Sequence, residues 1–148
     1  MKIRIKKLHE DAVIPKYQTH GASGFDLHAL EDMGINPGKT VLVKTGLAVD
    51  VGAGYELQIR PRSGLSLKTP LRVANAPGTV DADFRGELCV IMTNTNPEGD
   101  CRFRTAFIKK GDRIAQGVIC PVMRADIEVV DYLEDTARGD GAFGSTGN

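Results

Sequence analysis

The sequence predicts an all-β protein, an antiparallel sandwich or barrel of short strands. Three observations carry that expectation. Seventeen Gly and seven Pro among 148 residues punctuate the chain at short intervals. Between them, apolar and often β-branched residues alternate with polar ones, as in strands with one buried face. Helical periodicity is nearly absent. Short strands at such spacing pack as a sandwich or barrel.

The elements follow in order. Residues 2–8 read as a first strand. Residues 41–51, Val-Leu-Val-Lys-Thr-Gly-Leu-Ala-Val-Asp-Val, carry branched apolar side chains at most odd positions and Lys44, Gly46 and Asp50 at even ones. Residues 55–60, Tyr-Glu-Leu-Gln-Ile-Arg, alternate in the same way. Further strands are expected over 71–74, 87–94, 103–108, 113–123 and 126–133. The clusters Asn36-Pro37-Gly38, Gly52-Ala53-Gly54, Asn96-Pro97-Glu98-Gly99 and Lys110-Gly111-Asp112 supply turns. One helical turn fits at 64–68. There is no internal repeat and no linker.

Composition narrows the function. A length of 148 residues suits one domain. Nineteen Lys and Arg balance nineteen Asp and Glu, so there is no cationic surplus to neutralise a nucleic-acid backbone. No apolar run approaches the ~20 residues of a membrane-spanning helix. The basic start, Met1 to Lys7, lacks the apolar stretch of a secretory signal, so a reducing, cytoplasmic setting is expected. Cys89, Cys101 and Cys120 are odd in number and widely spaced, and His9, His20 and His28 form no ligand-spaced pair. Neither set reads as a protein-built metal site. A metal used here arrives with a ligand.

Five segments hold residue types with chemical potential. Arg60-Pro61-Arg62-Ser63-Gly64-Leu65-Ser66-Leu67-Lys68 ends a strand with two Arg, then offers a hydroxyl and free N–H groups at a helix start. This suits an anion, although Ser there also serves as a helix cap. Asn75-Ala76-Pro77-Gly78-Thr79-Val80-Asp81-Ala82-Asp83-Phe84-Arg85-Gly86-Glu87-Leu88 reads as a hairpin with three carboxylates, which either form turns or act on a proton. An Asp of ordinary pKa, roughly 3.9, is ionised at neutral pH and able to take a proton from water. Ala22 to Leu27 and Gly111 to Gly117 are weaker signals, a turn into a strand in each case. The Gly-rich end, residues 138–148, reads as a loose tail or as parts for gripping a phosphorylated ring compound: Arg138, Phe143, Ser145 and Thr146.

Taken together and in this order, the five segments resemble the five motifs of the trimeric dUTPase family, the dUTP pyrophosphatases. The most specific pieces are Pro61-Arg62-Ser63-Gly64-Leu65, Gly78-Thr79-Val80-Asp81-Ala82-Asp83, Gly111-Asp112-Arg113-Ile114-Ala115-Gln116 and Phe143-Gly144-Ser145-Thr146-Gly147. The resemblance spans effectively the whole chain. It implies a jelly-roll-like β-barrel or sandwich over residues 1–136, the dUTPase β-clip, with an arm over 137–148. It also implies a homotrimer in which each arm closes over a neighbour's nucleotide.

The implied activity is hydrolysis of dUTP to dUMP and diphosphate, which removes dUTP and supplies dUMP for dTTP synthesis. Asp81 would activate the water that attacks the α-phosphorus, and Mg²⁺ would arrive with the triphosphate. Asp26 matches the carboxylate that meets the metal through water. Arg62, Ser63, Gly64 and Gln116 match phosphate contacts. Asn75, Gly78, Thr79, Val80 and the main chain of Cys89 match the uracil slot. Arg138, Gly144, Ser145 and Thr146 would hold the terminal phosphates and Phe143 would stack on uracil. Nucleic acid and membrane are not implied partners.

Two departures stand out. Phe84 occupies the place of the usual Tyr that packs on deoxyribose, keeping the ring and losing the phenol. Ala142 stands where a second Gly is commoner, a strained choice if that position takes a positive φ. Residues 95–105 also form a longer turn than usual. The rival readings are a dCTP deaminase of the same superfamily and a non-catalytic nucleotide-binding module. Deaminase chains are generally longer and lack the full tail. A non-catalytic module predicts loss of a chemical residue, yet Asp81, Ser63, Arg138 and Phe143 are all present.

Overall fold

The computed structural model describes residues 1–100 and 102–142. Among the described residues the order is β1 (Arg4–Lys7), β2 (Phe25–His28), β3 (Met33–Ile35), β4 (Thr40–Lys44), β5 (Leu47–Asp50), β6 (Tyr55–Arg60), α1 (Ser63–Lys68), β7 (Leu71–Val73), β8 (Gly78–Val80), β9 (Cys89–Asn94), β10 (Ala106–Ile108) and β11 (Arg113–Pro121). The strands form a four-stranded sheet β2-β11-β6-β8, a three-stranded sheet β4-β9-β7, and the pairs β1-β5 and β10-β3. Every pairing is antiparallel. The all-β antiparallel fold expected from the sequence is the fold found.

Alternation builds the core. In β9, Val90, Met92 and Asn94 turn inward while Cys89, Ile91 and Thr93 lie half-buried on the other face. Leu27, Leu57, Ile59 and Ile114 from the larger sheet meet Val43, Leu71, Val73, Val90 and Met92 from the smaller one in a single buried cluster. The buried polar side chains Asn94 and Thr45 are bonded, as the low-dielectric interior demands. Asn94 Nδ2 donates to Ile35 O at 2.9 Å, and Thr45 Oγ1 donates to Leu88 O at 2.5 Å.

Residues 41–51 form two strands rather than one. The chain breaks at Thr45-Gly46, where Gly46 has φ +70° and a Cβ would lie 2.9 Å from that of Ala12. β4 stays on β9, and β5 turns away to pair with β1. Alternation persists through the break, which hides it in the sequence. Ser63 is the first residue of α1 rather than its cap. Arg62 holds the cap position, and no side chain caps the helix.

The strand expected over 126–133 does not form. Ile127 and Val129 are more than nine-tenths exposed. The residue pattern there suits a strand, but a strand exists only against a neighbour that takes its N–H and C=O groups, and this segment has none among the described residues.

Candidate active site

β8 is the outer strand of the larger sheet, bonded to β6 through Leu57↔Val80, Gln58↔Thr79 and Ile59↔Gly78. Among the described residues its other edge has no strand partner, so the main chain of Gly78 to Val80 keeps donors and acceptors to offer a ligand. That edge faces a cavity of about 330 Å³. Asn75, Gly78, Thr79, Val80, Asp81, Phe84 and Cys89 all line it, with Ile59, Leu42 and Ile91 as its apolar part. The seven residues assigned to the base, sugar and water sites are thus brought together. Burial, with help from the Glu87 charge, pushes the Cys89 thiol up. Phe84 is 44% exposed, its ring presenting a wall to the cavity rather than filling the core.

Asp81 lies at the junction with a second cavity, which also takes in Tyr55, Glu56, Asp83 and Arg124. This fixes its place along β6. It stands at the Tyr55 end.

The phosphate-type residues gather at the other end. Gln116 of β11 is flanked in register by Asp26 of β2 on one side and Arg60 of β6 on the other. Asp26 is buried. Its Oδ1 takes Arg62 Nε at 2.8 Å, and its Oδ2 takes Arg113 Nη1 at 3.3 Å. Arg62 Nη1 also donates to the Arg113 carbonyl at 3.1 Å, and Gln116 Nε2 donates to Pro61 O at 2.9 Å. Ser63 and Gly64 open α1 immediately after Arg62. Two guanidinium groups on one buried carboxylate form a rigid cationic face, stiffer than either Arg alone. His28 flanks this face in register with Arg113. Its Nδ1 is buried without a hydrogen-bond partner, and burial pulls its pKa down.

Arg113 is a residue of this cationic face that sequence reasoning left out. It lies inside the quoted Gly111-Asp112-Arg113 segment. Its pairing with Asp26, 87 positions away, comes only from the β2-β11 register. Arg138 lies in a local turn, its Nε donating to Gly141 O at 2.9 Å. Phe143, Gly144, Ser145 and Thr146 lie outside the described residues.

Among the described residues the two clusters share neither of the cavities that Asp81 lines. From Glu56 to Arg60 along β6 is four residues, about 13 Å at the rise of a strand. The cavity that Asp81 lines includes none of Asp26, Arg62, Ser63 or Gln116.

The dUTPase family profile matches residues 10–147. The chain belongs to the dUTPase family. A Picosynechococcus deoxyuridine 5'-triphosphate nucleotidohydrolase is 56% identical over 147 residues, covering 99% of each chain. A Helicobacter pylori protein of the same name is 50% identical, covering 99% of this chain and 97% of its own. Among solved structures, a dUTPase mutant of Staphylococcus bacteriophage 80alpha with dUpNHpp matches with a TM-score of 0.91 at 27% identity, covering 99% of each chain. A dUTPase mutant of phage phi11, described with a structural Mg(II) ion, matches at 0.82 and 26% identity, over 91% of this chain and all of its own. As a dUTPase, this chain keeps four of its five motif segments within the described residues, each at its own place in one fold, and the fifth, from Phe143 on, lies outside them.

Proposed function

We propose that this chain is a dUTP diphosphatase that cleaves dUTP to dUMP and diphosphate with Asp81 as its base. The observation that carries the reading is the cavity at the free edge of β8, which joins a main-chain edge, a ring wall and an ionisable carboxylate in one enclosure. A fixed main-chain edge satisfies the O4 and N3–H of uracil and leaves buried groups unpaired against the amino group of cytosine. That penalty rejects a base far better than a missing methyl does. Thymine's 5-methyl is refused sterically by the same main-chain edge.

In the proposed reaction Asp81 accepts a proton as a water oxygen bonds to the α-phosphorus. The bond from that phosphorus to the α–β bridging oxygen breaks, and the oxygen leaves with the diphosphate. Arg62, Ser63, Gly64 and Gln116 hold the phosphates, and Phe84 packs on the deoxyribose, where a 2′-hydroxyl meets its ring. Arg138 and the residues 143–146 add a guanidinium, a stacking ring and two hydroxyls from the arm.

The described residues include no group of three His, Cys, Asp or Glu suited to a metal ion, and both Asp26 oxygens carry guanidinium partners. That donor set fits Mg²⁺ as part of the substrate, meeting Asp26 through water. Such an ion neutralises the triphosphate and fixes its shape for in-line attack.

We further propose that the working unit is a homotrimer. With the two clusters at opposite ends of β6, no single phosphate reaches both, and a second copy of the chain supplies the missing half. The exposed apolar residues of 122–133 suit the same arrangement, as surface that a neighbouring copy covers.

The decisive measurement is diphosphate release from dUTP, dCTP, dTTP and UTP with Mg²⁺, with each nucleotide product identified. The reading expects release from dUTP alone, as dUMP. Conversion of dCTP would move the chain to the deaminase branch, and inactivity on all four would make it a binding module.

A further inference from the structure

A ring that reads a sugar discriminates only as well as it is held. In this chain Phe84 has no hydroxyl with which to anchor itself, so its position is set through its backbone. The turn is tight, with Phe84 N donating to Asp81 O at 3.2 Å. Arg85 reaches back over it. Its Nη1 donates to Ala82 O at 2.7 Å and to Phe84 O at 2.8 Å. Its Nη2 pairs with Asp50 Oδ1 at 3.2 Å.

Asp50 closes β5, far from this turn in sequence, and is itself fixed. Arg4 of β1 bonds its Oδ2, and Gly52 N donates to its Oδ1 at 3.1 Å. The Asp50 side chain is 14% exposed, the most sheltered of the three. The Arg4 bond holds its carboxyl below the usual carboxylate range, with the Gly52 bond adding to it. The carboxylate is thus charged at working pH.

On its other side the ring leans on Gly86. A Cβ there would stand 2.6 Å from Phe84 Cζ, so only glycine leaves the ring its place. Neither Asp50 nor Arg85 lines the cavity. Arg85 bonds the turn that carries the ring, and Asp50 bonds Arg85.

We propose that Asp50 and Arg85 are positioning residues that set sugar discrimination by clamping the Ala82–Phe84 turn onto the β1-β5 pair. The proposal rests on the reading of Phe84 as the deoxyribose wall. A surface ion pair by itself contributes little. Here one guanidinium joins two carbonyls of the turn to a carboxylate on another sheet, an arrangement a lysine cannot reproduce. Without it the turn moves as a loop does, and the ring no longer bars a 2′-hydroxyl sharply.

The test compares kcat and KM for dUTP and UTP in the wild type, Arg85→Gln, Asp50→Asn, the double variant and Phe84→Ala. Calorimetric binding of dUMP and UMP accompanies each. The clamp variants are expected to lose roughly tenfold in dUTP-over-UTP preference, with KM for dUTP raised and kcat nearly kept. The double variant should be no worse than Arg85→Gln, because both changes cut one linkage. Arg85→Lys keeps a charge for Asp50 and guards against a misfolded Arg85→Gln. It should hold thermal stability and still lose selectivity. Folded clamp variants with wild-type preference, or with kcat reduced at constant KM, overturn the clamp and leave dUTP hydrolysis standing. Wild-type protein that fails to turn over dUTP removes that reading and the clamp together.

Discussion

Asp81 stands where two cavities meet, beside the free edge of β8 that offers main-chain groups to a base. Its proposed task there is narrow, to take one proton as a bond forms. An amide of the same shape fills the place and cannot accept that proton. Asp81→Asn should therefore lower kcat by roughly 10²–10⁴-fold with little change in KM; steady-state diphosphate release together with calorimetric binding of dUMP separates the two quantities. Cys89 gives a second handle on the same cavity. With its thiol pushed up by burial, alkylation by iodoacetamide should be slow at neutral pH, quicken as pH rises, and be blocked by dUMP. Mass spectrometry of the modified peptide reads all three. The residue types of this cavity were legible in the sequence because most of them lie within one short stretch, residues 75–89. That stretch is not the hairpin expected, since its strand β8 pairs with β6 and not with β7 or β9. The Asp26–Arg62–Arg113 unit was legible only as separate letters, since its parts lie on three stretches of chain.

At the scale of elements, the strands with a neighbour on each side follow their sequence pattern closely. β6 occupies Tyr55–Arg60 as alternation predicts, held between β8 and β11. Leu57 shows why it matters. It is fully buried, opposite Val80 on one side and Ile119 on the other. Leu57→Ala should cost about 2–5 kcal/mol of stability, read as a lower urea midpoint at fixed protein concentration. The split of 41–51 and the missing strand over 126–133 were not legible, because alternation reports which face is buried and not which neighbour is bonded. On β2, His28 makes stability depend on pH. Its pKa is lower folded than unfolded, so as pH falls the unfolded chain takes the proton first. Stability is full above the unfolded value of about 6.5 and is lost as pH falls through it toward the folded one. His28→Gln should narrow the difference in urea midpoint between about pH 7.5 and about pH 5.5. An unchanged difference would assign the pH effect to other groups.

The whole molecule has a site in two halves at opposite ends of β6, and an apolar stretch over 122–133 that the described chain leaves in solvent. A monomer gains nothing from either. In the proposed trimer, copies arranged about an axis would gain from both, since one contact would bury the stretch and bring the Asp81 end of one chain to the Arg62 end of another. The arm from residue 137 onward then belongs functionally to a neighbour. Removing residues 137–148 should leave a folded assembly of unchanged size by light scattering, because no core residue is found in its described part, 137–142. It should cost most of the turnover, because Arg138 and the groups beyond it are lost. Mixing decides whose site the arm completes. Combine the arm-deleted chain, which has Asp81, with the Asp81→Asn chain, which has the arm, after unfolding and refolding together. If arm and base come from different copies, roughly a quarter of the sites in randomly mixed assemblies regain both. If each chain uses its own arm, no site regains both, and the mixture stays as inactive as its parts. Recovery of dUTP hydrolysis near that fraction, with mixed assemblies verified by native mass spectrometry, is the expected result.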